Sequence, residues 1–170
     1  QMETEWVKRP VIRLDMSRAG AAPESVRSYL DNAFHQLESE YDIAVRQDSS
    51  LADRFDAIIQ TAYNKTGLQV AILIDEYDKP LIQALGNDAL QDEYRSLLKA
   101  FYGNLKSCDA YIRFALLTGV TRFSRVSIFS DLNNLNDITM DWQYATMCGI
   151  AESELLPNFE EDIRKLAEHQ

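Results

Sequence analysis

Cysteine and histidine are scarce in this chain, two of each among 170 residues. Cys108 and Cys148 are too few and too far apart for a disulfide framework or a metal knuckle, and His35 and His169 complete no zinc-binding spacing. Both thiols therefore read as ordinary. Positive charge is also in deficit, with 17 Lys and Arg against 27 Asp and Glu and a net charge of −10. Nonspecific nucleic-acid binding requires a basic surface, so this balance disfavours it, and any phosphate site must be local. No run approaches the roughly 20 apolar residues that cross a bilayer. The opening Gln1-Met2-Glu3-Thr4-Glu5 lacks the basic start and apolar core of a signal peptide. A cytoplasmic location with no membrane partner is the expectation.

What is present suffices for one sizeable core: 46% of residues are hydrophobic and 10% aromatic, which suits one domain with a small appendage. Val11, Ile12 and Leu14 form a short strand running into Asp15 and Ser17. From Pro23, apolar residues at Val26, Tyr29, Leu30, Ala33, Phe34, Leu37 and Tyr41 share one helical face. Ser50 with Asp53 three residues on forms a capping pair for a second helix, whose stripe is Leu51, Phe55, Ile58, Ile59, Ala62 and Tyr63 and which Gly67 stops. An apolar strand from Val70 follows. Lys79-Pro80 begins the next segment, and Asn87 or Asp88 caps a long helix with the stripe Leu90, Tyr94, Leu97, Leu98, Phe101 and Leu105. A second buried strand, residues 111–117, ends in Thr118-Gly119. Residues 121–139 read as loop, with a short strand near Asp137 to Met140. From Trp142 the pattern is helical, broken at Gly149, with a final helix pair carrying Leu155, Leu156, Phe159, Ile163 and Leu166.

Apolar strands alternating with amphipathic helices argue for an α/β fold with a mostly parallel sheet covered on both faces. Ligands of such sheets sit beyond the carboxyl ends of the strands, where Asp15, Asp75, Glu76, Asp78, Thr118 and Gly119 all fall. The run Val70 to Asp78 is the informative one, because it is unbroken in apolar residues and then stops in three acids. Ionised carboxylates are costly to bury unpaired, so a strand that ends this way uses them. The pattern is that of a Walker B segment, in which the first acid holds Mg²⁺ through water and the second polarises the water that attacks a nucleotide's γ-phosphate. Its usual companion, a Gly-x-x-x-x-Gly-Lys-Ser/Thr loop, is absent from the 170 residues. Lys65-Thr66 ends a helix without the necessary glycines and does not replace it. Plainer roles fit several neighbours: Asp78 as a helix-start or loop residue, Asp15 and Ser17 as a cap or turn, His35 as a partly buried structural imidazole, and Trp6 and Trp142 as packing groups.

Residues 71–81 (Ala-Ile-Leu-Ile-Asp-Glu-Tyr-Asp-Lys-Pro-Leu), the long stretch 113–139 and residues 144–150 together resemble the bacterial AAA-ATPase-like family of P-loop proteins. Trp6 to Ser17 resembles the strand that follows the P-loop helix there. The resemblance implies a partial P-loop three-layer sandwich, with a core over residues 1–140 and the start of a C-terminal helical segment over 141–170. It implies a fragment that lacks the phosphate loop and the nuclease-superfamily domain (PD-(D/E)XK) usually fused downstream. Carried over by residue, Asp75 resembles the Mg²⁺-associated acid, Glu76 the catalytic base and Thr118 the sensor-1 residue. Either Arg122 or Arg125 would meet the phosphates. ATP and Mg²⁺ are the cofactors implied for the full-length parent, with none expected on this chain alone. The missing strand would leave 111–117 with an open apolar edge, so the chain is expected to form a homo-oligomer through that edge or to rearrange its C-terminal third. Two other functions compete: a noncatalytic interaction module that has lost its P-loop, and a stand-alone Mg²⁺ phosphoesterase using Asp75, Glu76 and Asp78, for which no second acidic cluster or nucleophile is present.

Overall fold

The computed structural model describes residues 7–20, 22–44, 48–120, 135–147 and 149–168. The chain divides into two compact units, Gln1–Asn134 and Leu135–Gln170. In the first, strands β1 (Val11–Asp15), β2 (Val70–Asp75) and β3 (Ile112–Leu117) form a parallel sheet in the order β1-β2-β3. Helices α1 (Pro23–Glu40) and α2 (Leu51–Thr66) connect β1 to β2. The short α3 (Lys79–Gln83) and long α4 (Asp88–Ser107) connect β2 to β3. The fold is the α/β class expected from the alternation of elements.

Local chemistry sets the helix boundaries. Ser50 and Asp53 form a reciprocal capping box, which satisfies two orphan amide donors at the start of α2. Gly67, in the left-handed conformation at φ +68°, ends it. Asn87 caps α4 by accepting the Leu90 N–H at 3.1 Å. The expected stripes face inward: Val26, Leu30 and Phe34 from α1, Phe55, Ile58, Ile59 and Ala62 from α2, and Tyr94, Leu97, Leu98, Phe101 and Leu105 from α4 are all buried. Phe55 joins the three helices, its ring centroid 5.4 Å from that of Phe34 and 4.8 Å from that of Phe101. Each such ring pair adds about 0.5–1.5 kcal/mol beyond its area burial.

Because these helices share one cluster, they lie in a single layer. Ile12 and Leu14 are fully buried beneath it, whereas Val11 and Phe114 on the opposite face are each 51% exposed. Among the described residues of the first unit the sheet is therefore covered on one face, where cover on both was expected. Its two ladders also differ. The β1–β2 pairing is regular, but Val70 pairs with Ile112 and Ala71 with Phe114, which leaves Arg113 as an extra residue in a β-bulge.

Among the described residues, the second unit contains a 3₁₀ turn, Trp142–Tyr144, and one helix, α5 (Glu152–Glu168). It departs from expectation three times. Residues 137–140 form no strand, because Asp137 accepts the Thr139 N–H at 3.1 Å and closes a turn. The expected helix pair is a single helix and a short turn. Trp142 is 81% exposed, where a packing role was expected. His35, on α1, is likewise exposed rather than partly buried, since it sits one residue past Phe34 and outside the buried stripe. Trp6, Cys148 and His169 lie outside the described residues. No helix among the described residues is long and apolar enough to cross a membrane.

Candidate active site

The parallel direction of the strands brings their carboxyl ends to one edge. Asp15 and Asp75 are register partners there, and Thr118 follows Leu117, the partner of Ile74. Backbone bonds join the strand ends: Thr118 N–H donates to Ile74 O at 2.9 Å, and Tyr77 N–H donates to Thr118 O at 2.9 Å. These bonds carry the Thr118 side chain onto the first acid, and its hydroxyl donates to Asp75 Oδ1. The Glu76 N–H donates to the same oxygen at 3.1 Å. Asp75 is exposed, and its Oδ2 accepts no hydrogen bond among the described residues.

Glu76 occupies the left-handed region at φ +49°, unusual for a side chain of its size. Its Oε2 lies 3.2 Å from Lys79 Nζ, within range for Coulombic pairing. Among the described residues, that oxygen is closed off from solvent and accepts no hydrogen bond.

Asp78 is fully buried. It stands at the N-cap of α3, yet its side chain does not cap that helix. It turns instead to the segment after β3, accepting the Val120 N–H at 3.3 Å. Gly119 packs so closely that an added Cβ would fall 2.6 Å from Tyr77 Cε1 and 2.8 Å from Asp78 Oδ1. Beneath this turn, Tyr102 donates its hydroxyl to Tyr77 O at 3.2 Å, and burial holds that phenol well above its ordinary range. Asp78 thus ties the two strand ends together from below. The only sequence signal of this was the conjunction of a third acid after β2 with a glycine after β3.

Asp15 has a local role. Ser17 donates to Asp15 Oδ1 through its hydroxyl at 2.6 Å and its N–H at 3.1 Å, and this hydroxyl first of all holds the carboxyl below its ordinary range. Arg122 and Arg125 lie outside the described residues. Cys108 is no nucleophile: burial first, and then the neighbouring Asp56 carboxylate, push its thiol up to about 12. A hollow lined by Glu38, Ser49, Asp53 and Arg54 shares no residue with the strand-end edge, and its charged groups are engaged, Glu38 by Arg54 and Asp53 by the cap of α2.

Among the described residues no three Asp, Glu, His or Cys side chains converge closely enough to hold a metal by themselves. Asp75 nonetheless suits a cation such as Mg²⁺, which takes one or two carboxylates and completes its shell with water and substrate phosphate oxygens. The edge therefore offers one uncommitted carboxylate oxygen, a second acid one residue on, and a hydroxyl fixed against the first.

A family model described as "Predicted AAA-ATPase" matches residues 1–129. "Uncharacterized protein in vnfD 5'region" of Azotobacter chroococcum mcd 1 is 39% identical over 156 residues, which span 89% of this chain. They span 30% of that relative's length, so the chain corresponds to a minor part of it. No solved structure matches the chain. With three quarters of its length inside the family model, this chain belongs to the AAA-ATPase-like family of predicted AAA-ATPases.

Proposed function

We propose that these residues are the Walker B and sensor-1 part of a longer protein that hydrolyses ATP with Mg²⁺, and that the chain alone is inactive. One observation carries the reading. The Thr118 hydroxyl rests on Asp75 Oδ1 at the ends of adjacent parallel strands, leaving Oδ2 uncommitted among the described residues. Asp75 is the residue that would hold magnesium. When bound, the metal neutralises charge on the β- and γ-phosphate oxygens.

Glu76 takes the proton from the attacking water as its oxygen bonds to the γ-phosphorus. The bond from that phosphorus to the β,γ-bridging oxygen breaks, and ADP and phosphate leave. Thr118 orients the water or the γ-phosphate. Arg122 or Arg125 supplies positive charge to the phosphates.

Much nucleotide affinity resides in backbone amides and a lysine cradling the phosphates, and no such loop occurs in these 170 residues. Isothermal titration of the chain with ATP and Mg²⁺ is therefore expected to give little or no heat of binding, and tight binding would refute the account. In the full-length protein, Glu76→Gln is expected to keep ATP bound while losing about 10²–10⁴-fold in turnover, the usual contribution of a general base. Single-turnover kinetics beside nucleotide binding separate the two effects.

The partner reading follows from the sheet. Its β3 edge carries no further strand among the described residues, and we propose that the chain self-associates there. In a noncatalytic module, the alternative function, the same edge would recruit another protein.

A further inference from the structure

The regular run of β3 ends at Leu117, yet each of the next three residues is fastened to the end of β2 or the turn that follows it. The Thr118 N–H donates to Ile74 O and the Tyr77 N–H donates to Thr118 O, both at 2.9 Å. Gly119 lies so close to the same turn that a Cβ would fall 2.6 Å from Tyr77 Cε1 and 2.9 Å from Asp78 Cγ. The Val120 N–H then donates to Asp78 Oδ1 at 3.3 Å.

Asp78 makes the unusual contact in this clamp. A carboxyl group with no exposure carries a desolvation cost that hydrogen bonds must offset, and an aspartate at an N-cap ordinarily meets it with the amides of its own helix. Here the side chain leaves α3 uncapped and takes an amide from beyond the neighbouring strand. The Tyr102 hydroxyl anchors the same turn to α4 through Tyr77 O at 3.2 Å. We infer that Asp78 is a positioning residue: by holding Gly119 and Val120 it fixes the side-chain rotamer in which the Thr118 hydroxyl rests on Asp75 Oδ1, and through that contact it orients the carboxylate that would hold the cation. The inference rests on the reading of Thr118 and Asp75 as the sensor-1 and magnesium residues. It adds a third acid that acts on them without touching metal or nucleotide.

The test uses the full-length protein at saturating ATP, well below its melting midpoint. Asp78→Ala removes both carboxyl oxygens and is expected to lower kcat roughly 10- to 100-fold, the scale of loss when a group is misplaced by about 1 Å, with KM for ATP little changed. Asp78→Asn keeps an acceptor oxygen for the Val120 N–H and is expected to recover most of that loss. In a Thr118→Val background no hydroxyl remains to be placed, so Asp78→Ala should lower kcat little further, because residues that act as a unit do not add. In the 170-residue chain, the three-bond couplings that report the Thr118 χ1 angle should be those of one rotamer in the parent and in Asp78→Asn, and should average between rotamers in Asp78→Ala. Asp78→Ser, whose side chain is too short to reach Val120, takes the same tests should Asp78→Ala not fold.

If Thr118→Val turns over like the parent, the sensor-1 reading falls and the inference falls with it. If Thr118→Val is slow while Asp78→Ala matches the parent rate, or costs as much in both backgrounds, Thr118 keeps its role and the positioning role of Asp78 is refuted. Couplings of a single Thr118 rotamer in Asp78→Ala would dispose of the clamp whatever the kinetics.

Discussion

Gly119 is the residue whose replacement the structure constrains most directly. A methyl group there would enter the space of Tyr77 Cε1 and Asp78 Oδ1 at under 3 Å, and Asp78, being fully buried, cannot retreat easily. Gly119→Ala is expected to cost about 1–3 kcal/mol, the usual penalty of overpacking, read as a lowered thermal or denaturant midpoint of the chain. A midpoint within error of the parent would mean that the close approach is not real. This residue, rather than Asp75 or Glu76, shows the limit of reading the site from sequence. The two acids were legible because a buried apolar run seldom stops in clustered carboxylates unless they serve at its end. Thr118 was legible from its place after the next apolar run. The part played by Asp78 was not: a third acid before Lys79-Pro80 has the look of a helix start, and only the fold reveals that its carboxylate faces Val120 instead of its own helix.

Between elements, the largest surprise is charged. Glu38 lies within the buried face of α1 at 2% exposure, in a stripe whose other positions are apolar. Its partner is Arg54 on α2, whose Nε donates to Glu38 Oε1 at 2.6 Å and whose Nη2 donates to Oε2 at 2.7 Å. Arg54 also pairs with Asp31 and lies over the Phe34 ring, 5.9 Å from its centroid. Such two-pronged pairing is what makes a buried carboxylate tolerable. Removing the cation alone is therefore severe, and Arg54→Met is expected to cost about 3–5 kcal/mol. The double variant Glu38→Leu with Arg54→Met should recover most of that loss in denaturant melts. If the single variant cost no more than the double, the pair would not be coupled. Helical periodicity identifies faces and not partners, so α1 and α2 were legible as helices while the link between them was not. The same limit explains residues 137–140, where local turn chemistry by Asp137 outweighs a weak strand pattern.

At the scale of the whole molecule, the first unit's three-stranded parallel sheet with one helical layer leaves apolar side chains exposed among the described residues, including Phe114 at 51% exposure. Parallel sheets are ordinarily buried on both faces, and an open strand edge beside such a surface invites pairing with another chain. Light scattering on the 19.5 kDa chain is expected to show a concentration-dependent dimer despite the −10 charge. Phe114→Lys should shift it toward monomer without lowering its melting midpoint. A monodisperse parent monomer without swapped contacts would count against the open edge. The same strand carries a quieter consequence. Arg113, the additional residue near its beginning, acts as a shim: with an uninterrupted ladder from Val70 and Ile112 onward, Leu117 and not Thr118 would arrive level with Asp75. An irregularity at the far end of the sheet thus selects which atom, oily methyl or hydroxyl oxygen, is delivered to the acid.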